Sequence, residues 1–305
     1  MSRRLALLLA ASALAGCSTV SPRPGLPLAI TIDDLPLHGP IPDGSTPRSV
    51  AEQLIAGLRT GGARQAIGFV NGHWTAQQPD TAKVLHAWRR AGLPLGNHGW
   101  AHRNLEDLTP TAFEQELVRN EAVLAAHGAR SNWRWFRYPF LNEGSTAERR
   151  TLARSILARH GYRIAAVTMD FSDWRFTAPY ARCVEREDGA GVARLEQLYL
   201  AAAARAVDRS RQLSTQVYGR DIPYVLLLHG GAFTARMMPR LLTLYRSRNF
   251  RFIGIDEAER DPAYATEVAP AREGPPATLE GRAAARGLPI PAPPTDAAAV
   301  DAVCT

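Results

Sequence analysis

The chain reads as an α/β protein built on a parallel sheet of about seven strands, either a βα barrel or a doubly wound sheet. Three observations predict this. Short apolar runs alternate with helical patterns along most of the chain. The helical stretches carry their own start and stop residues. The unusual polar residues fall directly after the apolar runs, at the strand ends where parallel βα folds build their sites.

The expected strands, in order, are Leu28–Ile32, Ala66–Val70, Leu93–Gly96, Arg134–Arg137, Arg163–Met169, Tyr224–Leu228 and Arg251–Gly254. Thr46-Pro47 and Thr109-Pro110 each read as an N-cap followed by Pro at the first helical position. Gly61, Gly92, Gly128 and Gly161 follow helical runs and suit C-terminal caps. Residues 266–296 hold seven Pro and read as irregular, apart from a short helix near Thr278–Arg286. No internal repeat is present. The expected organisation is one catalytic-sized domain over 28–260 and a Pro/Ala-rich tail over 261–305.

Composition narrows the class. Hydrophobic residues make up 46% of 305 and charged residues 21%, which excludes wholesale disorder. Three Cys exclude a disulfide scaffold. The formal charge is +7, but almost every basic residue is Arg, Lys83 being the one Lys, and they are scattered. No run resembles a nucleic-acid arm, so nucleic acid is not an expected partner.

The N-terminus reads as an export signal over 1–17. Arg3 and Arg4 precede an apolar stretch, Leu5 to Leu14, which is too short to span a bilayer. It ends in Leu14-Ala15-Gly16-Cys17, which resembles a bacterial lipobox and would make Cys17 the lipidated first mature residue. An ordinary secretory signal and a twin-arginine signal are the alternatives. Ser18 after the Cys leans toward the outer membrane in the lipoprotein family. A Pro-rich tether follows over 18–27. The expected address is therefore exported, on the periplasmic side, anchored by lipid. Cys183 and Cys304 either pair in an oxidising compartment or stay as thiols.

Five polar clusters carry the chemistry. Asp33-Asp34 ends the first strand, and two adjacent carboxylates there are costly unless a cation or proton offsets them; a simple turn is the plain alternative. His98 and His102 stand at i and i+4, which on a helix would put both imidazoles on one face to grip a metal; two surface His in a loop are the plain alternative. Two His plus one Asp leave room for water, the layout of a catalytic zinc. Arg137 precedes Tyr138-Pro139-Phe140 and could orient a carboxylate. Asp170 and Asp173-Trp174 follow the fifth strand. His229 closes VLLLHGG and suits proton delivery, with Asp173 or Asp170 holding its other nitrogen. Trp100, Tyr138, Phe140 and Trp174 are placed to stack on sugar rings, although core packing is the default for aromatics. His38 and His73 lie on the same rim as second-tier groove residues. His127 and His160 suit helix ends, and His86 a helix face.

Together the pieces TIDD (31–34), HGWAH (98–102), RYPF (137–140), DFSDW (170–174) and LLLH (226–229) resemble the polysaccharide deacetylase family, carbohydrate esterase family 4. The resemblance implies a distorted, incomplete (β/α) barrel. It implies a divalent metal, usually zinc, on Asp34, His98 and His102. It implies Asp33 as general base, His229 as general acid, Arg137 orienting Asp33, and Asp173 tuning His229. Trp174 would wall the pocket, and the backbone N–H of Phe140 would bind the oxyanion. The implied activity is removal of acetyl groups from an N-acetylated cell-wall or matrix glycan. The alternatives are an O-acetyl esterase on a xylan-like polymer and a non-catalytic glycan-binding lipoprotein. The chain departs from the family with Ile32 and Leu35 around the acid pair and Gly99 after the first His.

Overall fold

The structure is a computed structural model that describes residues 25–128 and 133–305. The export signal, Cys17 and nearly all of the 18–27 tether lie outside the described residues.

Among the described residues, seven parallel strands curl into an open half-barrel ringed by helices. They are β1 (Leu26–Leu35), β2 (Ile67–Val70), β3 (Leu95–Asn97), β4 (Trp135–Phe136), β5 (Arg163–Ile164), β6 (Tyr224–His229) and β7 (Phe250–Ile253). The order is β5-β4-β3-β2-β1-β6, with β7 also on β1. From β1 to β5 each strand adds beyond the last, with no early reversal. That progression is a barrel's, and it decides against the doubly wound sheet. Strands covered on both faces must be apolar throughout. LAITI and YVLLL are accordingly unbroken, and Leu28 to Asp33 are all buried.

Register is what positions the chemistry. β1 pairs with β6 from Leu28↔Tyr224 through to Asp33↔His229, so residues 196 apart in sequence become neighbours across one ladder. Thr31 ties the two strands further, its hydroxyl donating to the Leu226 carbonyl at 2.7 Å.

Two local expectations change. The stretch Arg163–Met169 is a ladder strand only at Arg163–Ile164. The carbonyls of Ala165 and Ala166 are taken by the Arg137 guanidinium instead of a neighbouring strand, at 3.0 and 3.2 Å. The chain then crosses to β6, where Met169 makes a single parallel bridge with Leu226, and Val167 bridges Thr278. Gly61 ends its helix with φ −73°, and it is Gly62, at φ +77°, that takes the left-handed conformation. The Thr46 cap holds as expected, with a reciprocal bond to Ser49.

The short helix expected near Thr278–Arg286 is present. Thr278 caps a short helix, Leu279–Ala284, and a second short helix spans Ala297–Asp301. Leu279, Ala283 and Val300 are buried against the barrel. Cys183 and Cys304 form a disulfide, with Cα atoms 5.3 Å apart, within the normal range for such a bond. Among the described residues no helix is long and apolar enough to cross a membrane.

Candidate active site

The C-terminal ends of β1, β3, β4 and β6, together with the segment that follows β5, deliver the five clusters to one rim. β1 runs directly into Asp33 and Asp34. Their side chains diverge because Asp34 adopts a left-handed backbone, φ +62°. Asp33 is 2% exposed. Arg137, itself buried, donates from Nη1 to both of its carboxylate oxygens at 3.2 Å. The rest of that guanidinium is satisfied too: Nε by the Ala165 carbonyl, Nη2 by Thr31 Oγ1 and the Ala166 carbonyl. A buried Arg with its fork fully used is rigid, so it fixes the acid's orientation.

Asp34 faces the two imidazoles. Its Oδ1 lies 3.4 Å from Nε2 of His98 and 3.4 Å from Nε2 of His102. The three candidate ligand atoms lie within 4.8 Å of one another. Oδ1 is buried and has no hydrogen-bond donor among the described residues. His98 Nδ1 lies 2.8 Å from the Arg137 carbonyl. A carbonyl only accepts, so Nδ1 carries the hydrogen and Nε2 presents a lone pair. Burial and the neighbouring His98 pull the His102 pKa down to about 4, so this imidazole is neutral at neutral pH. Burial alone would raise the Asp34 carboxyl, but its contacts with His38 and His98 hold it well below the usual range. An ionised carboxylate, two imidazole Nε2 atoms turned toward it and an orphaned buried oxygen make a donor set that suits a divalent cation.

The His pair converges without a helix. Residues 98–102 form a loop with left-handed turns at Gly99, φ +74°, and His102, φ +51°. The helical i,i+4 premise is thereby corrected. Asn71, just after β2, clamps this loop by donating to the carbonyls of His98 and Gly99 at 2.6 and 3.1 Å. Glu116 accepts from the Ala101 N–H at 2.7 Å.

His229 sits across from the metal-type cluster. Its Nδ1 is 2.8 Å from Asp173 Oδ1, and its backbone N–H donates to Oδ2 at 2.9 Å. Thr234 donates to the same Oδ2 at 2.6 Å. Burial lowers the His229 pKa, but Asp173, fully buried beside it, outweighs that and raises it to about 9. The His229 partner is Asp173, whereas Asp170 accepts from the Ser172 N–H.

The aromatics divide. Phe140, 63% exposed and at φ +58°, lays its ring 4.5 Å from that of His102. Trp174 is 42% exposed. Tyr138 and Trp100 are withdrawn, which corrects their expected role as sugar platforms. Tyr138 stacks on Phe113 and meets Phe136 edge-on inside the core, and Trp100 is buried under the Arg119 guanidinium. Large rings go where apolar area can be hidden. His73 is edge-on to Trp100.

Sequence reasoning underrated His38, whose Nδ1 lies 2.7 Å from Asp34 Oδ2, and missed Thr31, Asn71 and Thr234. Thr31 was findable, because i and i+2 on a strand share a face with Asp33. Asn71 follows the second strand just as the other clusters follow theirs. Nothing local marks Thr234.

The polysaccharide deacetylase family model matches residues 21–174, half of the chain. No curated protein matches the sequence significantly. Similar solved structures include a carbohydrate esterase family 4 pseudoenzyme from Bacillus anthracis, with TM-score 0.52 and 15% identity, covering 78% of this chain and 66% of that one. The chitin deacetylase of the fungal pathogen Colletotrichum lindemuthianum has TM-score 0.52 and 18% identity, covering 77% and 88%. At such identities the likeness establishes the fold, which here is the incomplete barrel.

Proposed function

This chain belongs to the polysaccharide deacetylase family, and on that premise we propose that it is a metal-dependent hydrolase. It would remove acetyl groups from an N-acetylated polysaccharide, a cell-wall or matrix glycan, and release acetate. A fold alone does not license an activity, and one structural relative is a pseudoenzyme. The observation that carries the reading is the convergence of Asp34, His98 and His102 on a single ligand-sized space, flanked by Asp33 and His229.

Asp34, His98 and His102 would hold the cation, zinc by the preference of imidazole and carboxylate donors. When bound, such an ion supplies Lewis acidity toward the acetyl carbonyl and activates water. Asp33, oriented by Arg137, takes the proton of the attacking water. The Phe140 backbone N–H helps hold the developing oxyanion. His229, kept protonated by Asp173, delivers a proton to the departing amine nitrogen and so makes it a neutral leaving group. Phe140 and Trp174, both exposed, offer faces for sugar rings.

The test is acetate release from a panel of N-acetylated and O-acetylated glycans by metal-loaded protein. Asp34→Ala is expected to contain no zinc by elemental analysis. Asp33→Asn is expected to keep zinc while kcat falls about 10²–10⁴-fold. An active Asp33→Asn removes the base assignment. Release only from O-acetylated polymers makes the chain an esterase, and no release from any substrate favours a glycan-binding protein.

We further propose that the chain is exported and anchored through lipid on Cys17, in the outer membrane by the residue Ser18 that follows it, on the strength of the Leu14-Ala15-Gly16-Cys17 sequence. Labelling with radioactive palmitate should mark the wild type and not Cys17→Ala; equal labelling rules the anchor out.

A further inference from the structure

We propose that His38 is a positioning residue for Asp34, which tethers one carboxylate oxygen so that the other is aimed at the two imidazoles as a single-oxygen ligand. This deepens the metal reading above and rests on it.

The geometry divides the Asp34 carboxylate cleanly. Oδ2 lies 2.7 Å from His38 Nδ1. Oδ1 lies 3.4 Å from each imidazole Nε2 and has no hydrogen-bond partner among the described residues. A carboxylate accepts, so the His38 Nδ1–H donates. Left alone, an Asp carboxylate turns about a broad, roughly two-fold terminal torsion and can present either oxygen or both. The bond to His38 removes that freedom. It also occupies the oxygen that would otherwise make the ligand bidentate. Outer partners of ligating carboxylates commonly act in this way.

His38 is itself built into place. It stands four residues after Asp34, at the end of a loop that returns to the barrel mouth. Its backbone N–H donates to the Gly230 carbonyl at 3.2 Å, the residue after His229. Gly39 follows at φ +68°, and a Cβ there would meet Thr177 Cγ2 at 2.9 Å. The loop therefore passes too close for a side chain, and only Gly allows the approach. The His38 ring packs against that of His229, with centroids 4.9 Å apart. One residue thus touches both halves of the site, anchored by main chain on the acid side and by side chain on the ligand side.

The experiment measures zinc affinity, by competition with a chromophoric chelator, for wild type, His38→Ala and His38→Asn. A second readout is the visible spectrum of each protein loaded with Co(II). His38→Ala is expected to bind zinc about 10–100-fold more weakly, the usual cost of losing an outer-shell partner. Its Co(II) spectrum should change as Oδ2 becomes free to join the ion. His38→Asn places an amide N–H near the Nδ1 position and should recover affinity to within about threefold of wild type. If His38→Ala does not fold, the Asn variant decides: rescue with a wild-type spectrum supports tethering, and a loss as large as tenfold overturns it. Equal affinity and identical spectra for wild type and His38→Ala overturn this inference alone. A wild type that binds no zinc overturns the metal reading and this inference with it.

Discussion

Asp173 is the residue whose electrostatics are most exposed to measurement. Its carboxylate outweighs the burial of His229 and lifts that imidazole to about 9, against about 6.5 for an unperturbed His. The folded pKa is raised, so the stabilisation from the charged ring is complete below about 6.5 and is lost as pH rises through about 9. The same direction applies to catalysis, because a general acid must carry its proton. The upper limb of kcat/KM against pH should therefore fall near 9. Asp173→Asn keeps hydrogen-bonding atoms but removes the charge, and is expected to move that limb down by about two pH units, toward the unperturbed value. A limb that stays put in this variant would separate His229 from the proton transfer. At this scale the sequence was readable wherever a polar residue interrupts an apolar run: Asp33, Asp34, His98 and His229 all stand out. Where a pairing spans the chain, spacing is silent and only the family resemblance pointed to it. Arg137 and Asp33 are 104 residues apart, and no spacing announces their fork. Tyr138 and Trp100 were misread for the converse reason, since an aromatic beside a polar cluster can point either way and burial decides.

At the scale of elements, the loop after β3 does what a helix was expected to do. His98 and His102 meet because the chain turns left-handed at Gly99 and again at His102. Gly99 is thus more than a departure from the family pattern: its φ of +74° is one that other residues adopt at a cost. Its missing Cβ would meet nothing closer than 3.7 Å, so conformation, not crowding, sets the penalty. Gly99→Ala is expected to lose about 1–2 kcal/mol of stability, the cost of holding a non-Gly residue left-handed, read as a lower urea midpoint with an unchanged slope. An unchanged midpoint would show that the turn relaxes freely. The β1–β6 ladder is the element that the sequence predicted best. Both strands are buried on both faces, so their apolar runs are long and bounded by the very residues that form the site. β4 and β5 were readable only in part, because two-residue ladders leave almost no periodic signal.

For the whole molecule, the segment beyond residue 260 closes what the sheet leaves open. Val167 takes its backbone partner from Ala277, and Glu267 pairs inside the fold with Arg154 and Arg282. Burying such charges is tolerable because each has its partner. Further on, Thr295 donates to the Phe171 carbonyl, Arg175 pairs with Asp301 at 2.6 Å, and Cys304 is bonded to Cys183. These contacts hold the turn that carries Asp173 and Trp174. The disulfide joins residues 121 apart, and closing so long a loop restricts the unfolded chain. Cys304→Ser is expected to cost about 2–4 kcal/mol under oxidising conditions, with no difference from wild type once reductant is present. Equal stability in both conditions would show that the bond contributes nothing. The amino-acid sequence by itself determined the class of fold and the identity of the reactive side chains, because buried strands must be apolar and a charged residue at their ends has to be there for a reason. Only the tertiary structure decided that the two cysteines meet and that His38 holds Asp34. The cysteines lie 121 residues apart, and the His38 contact depends on a loop folded back against Gly230, so the energy of each depends on register and burial that no local pattern encodes.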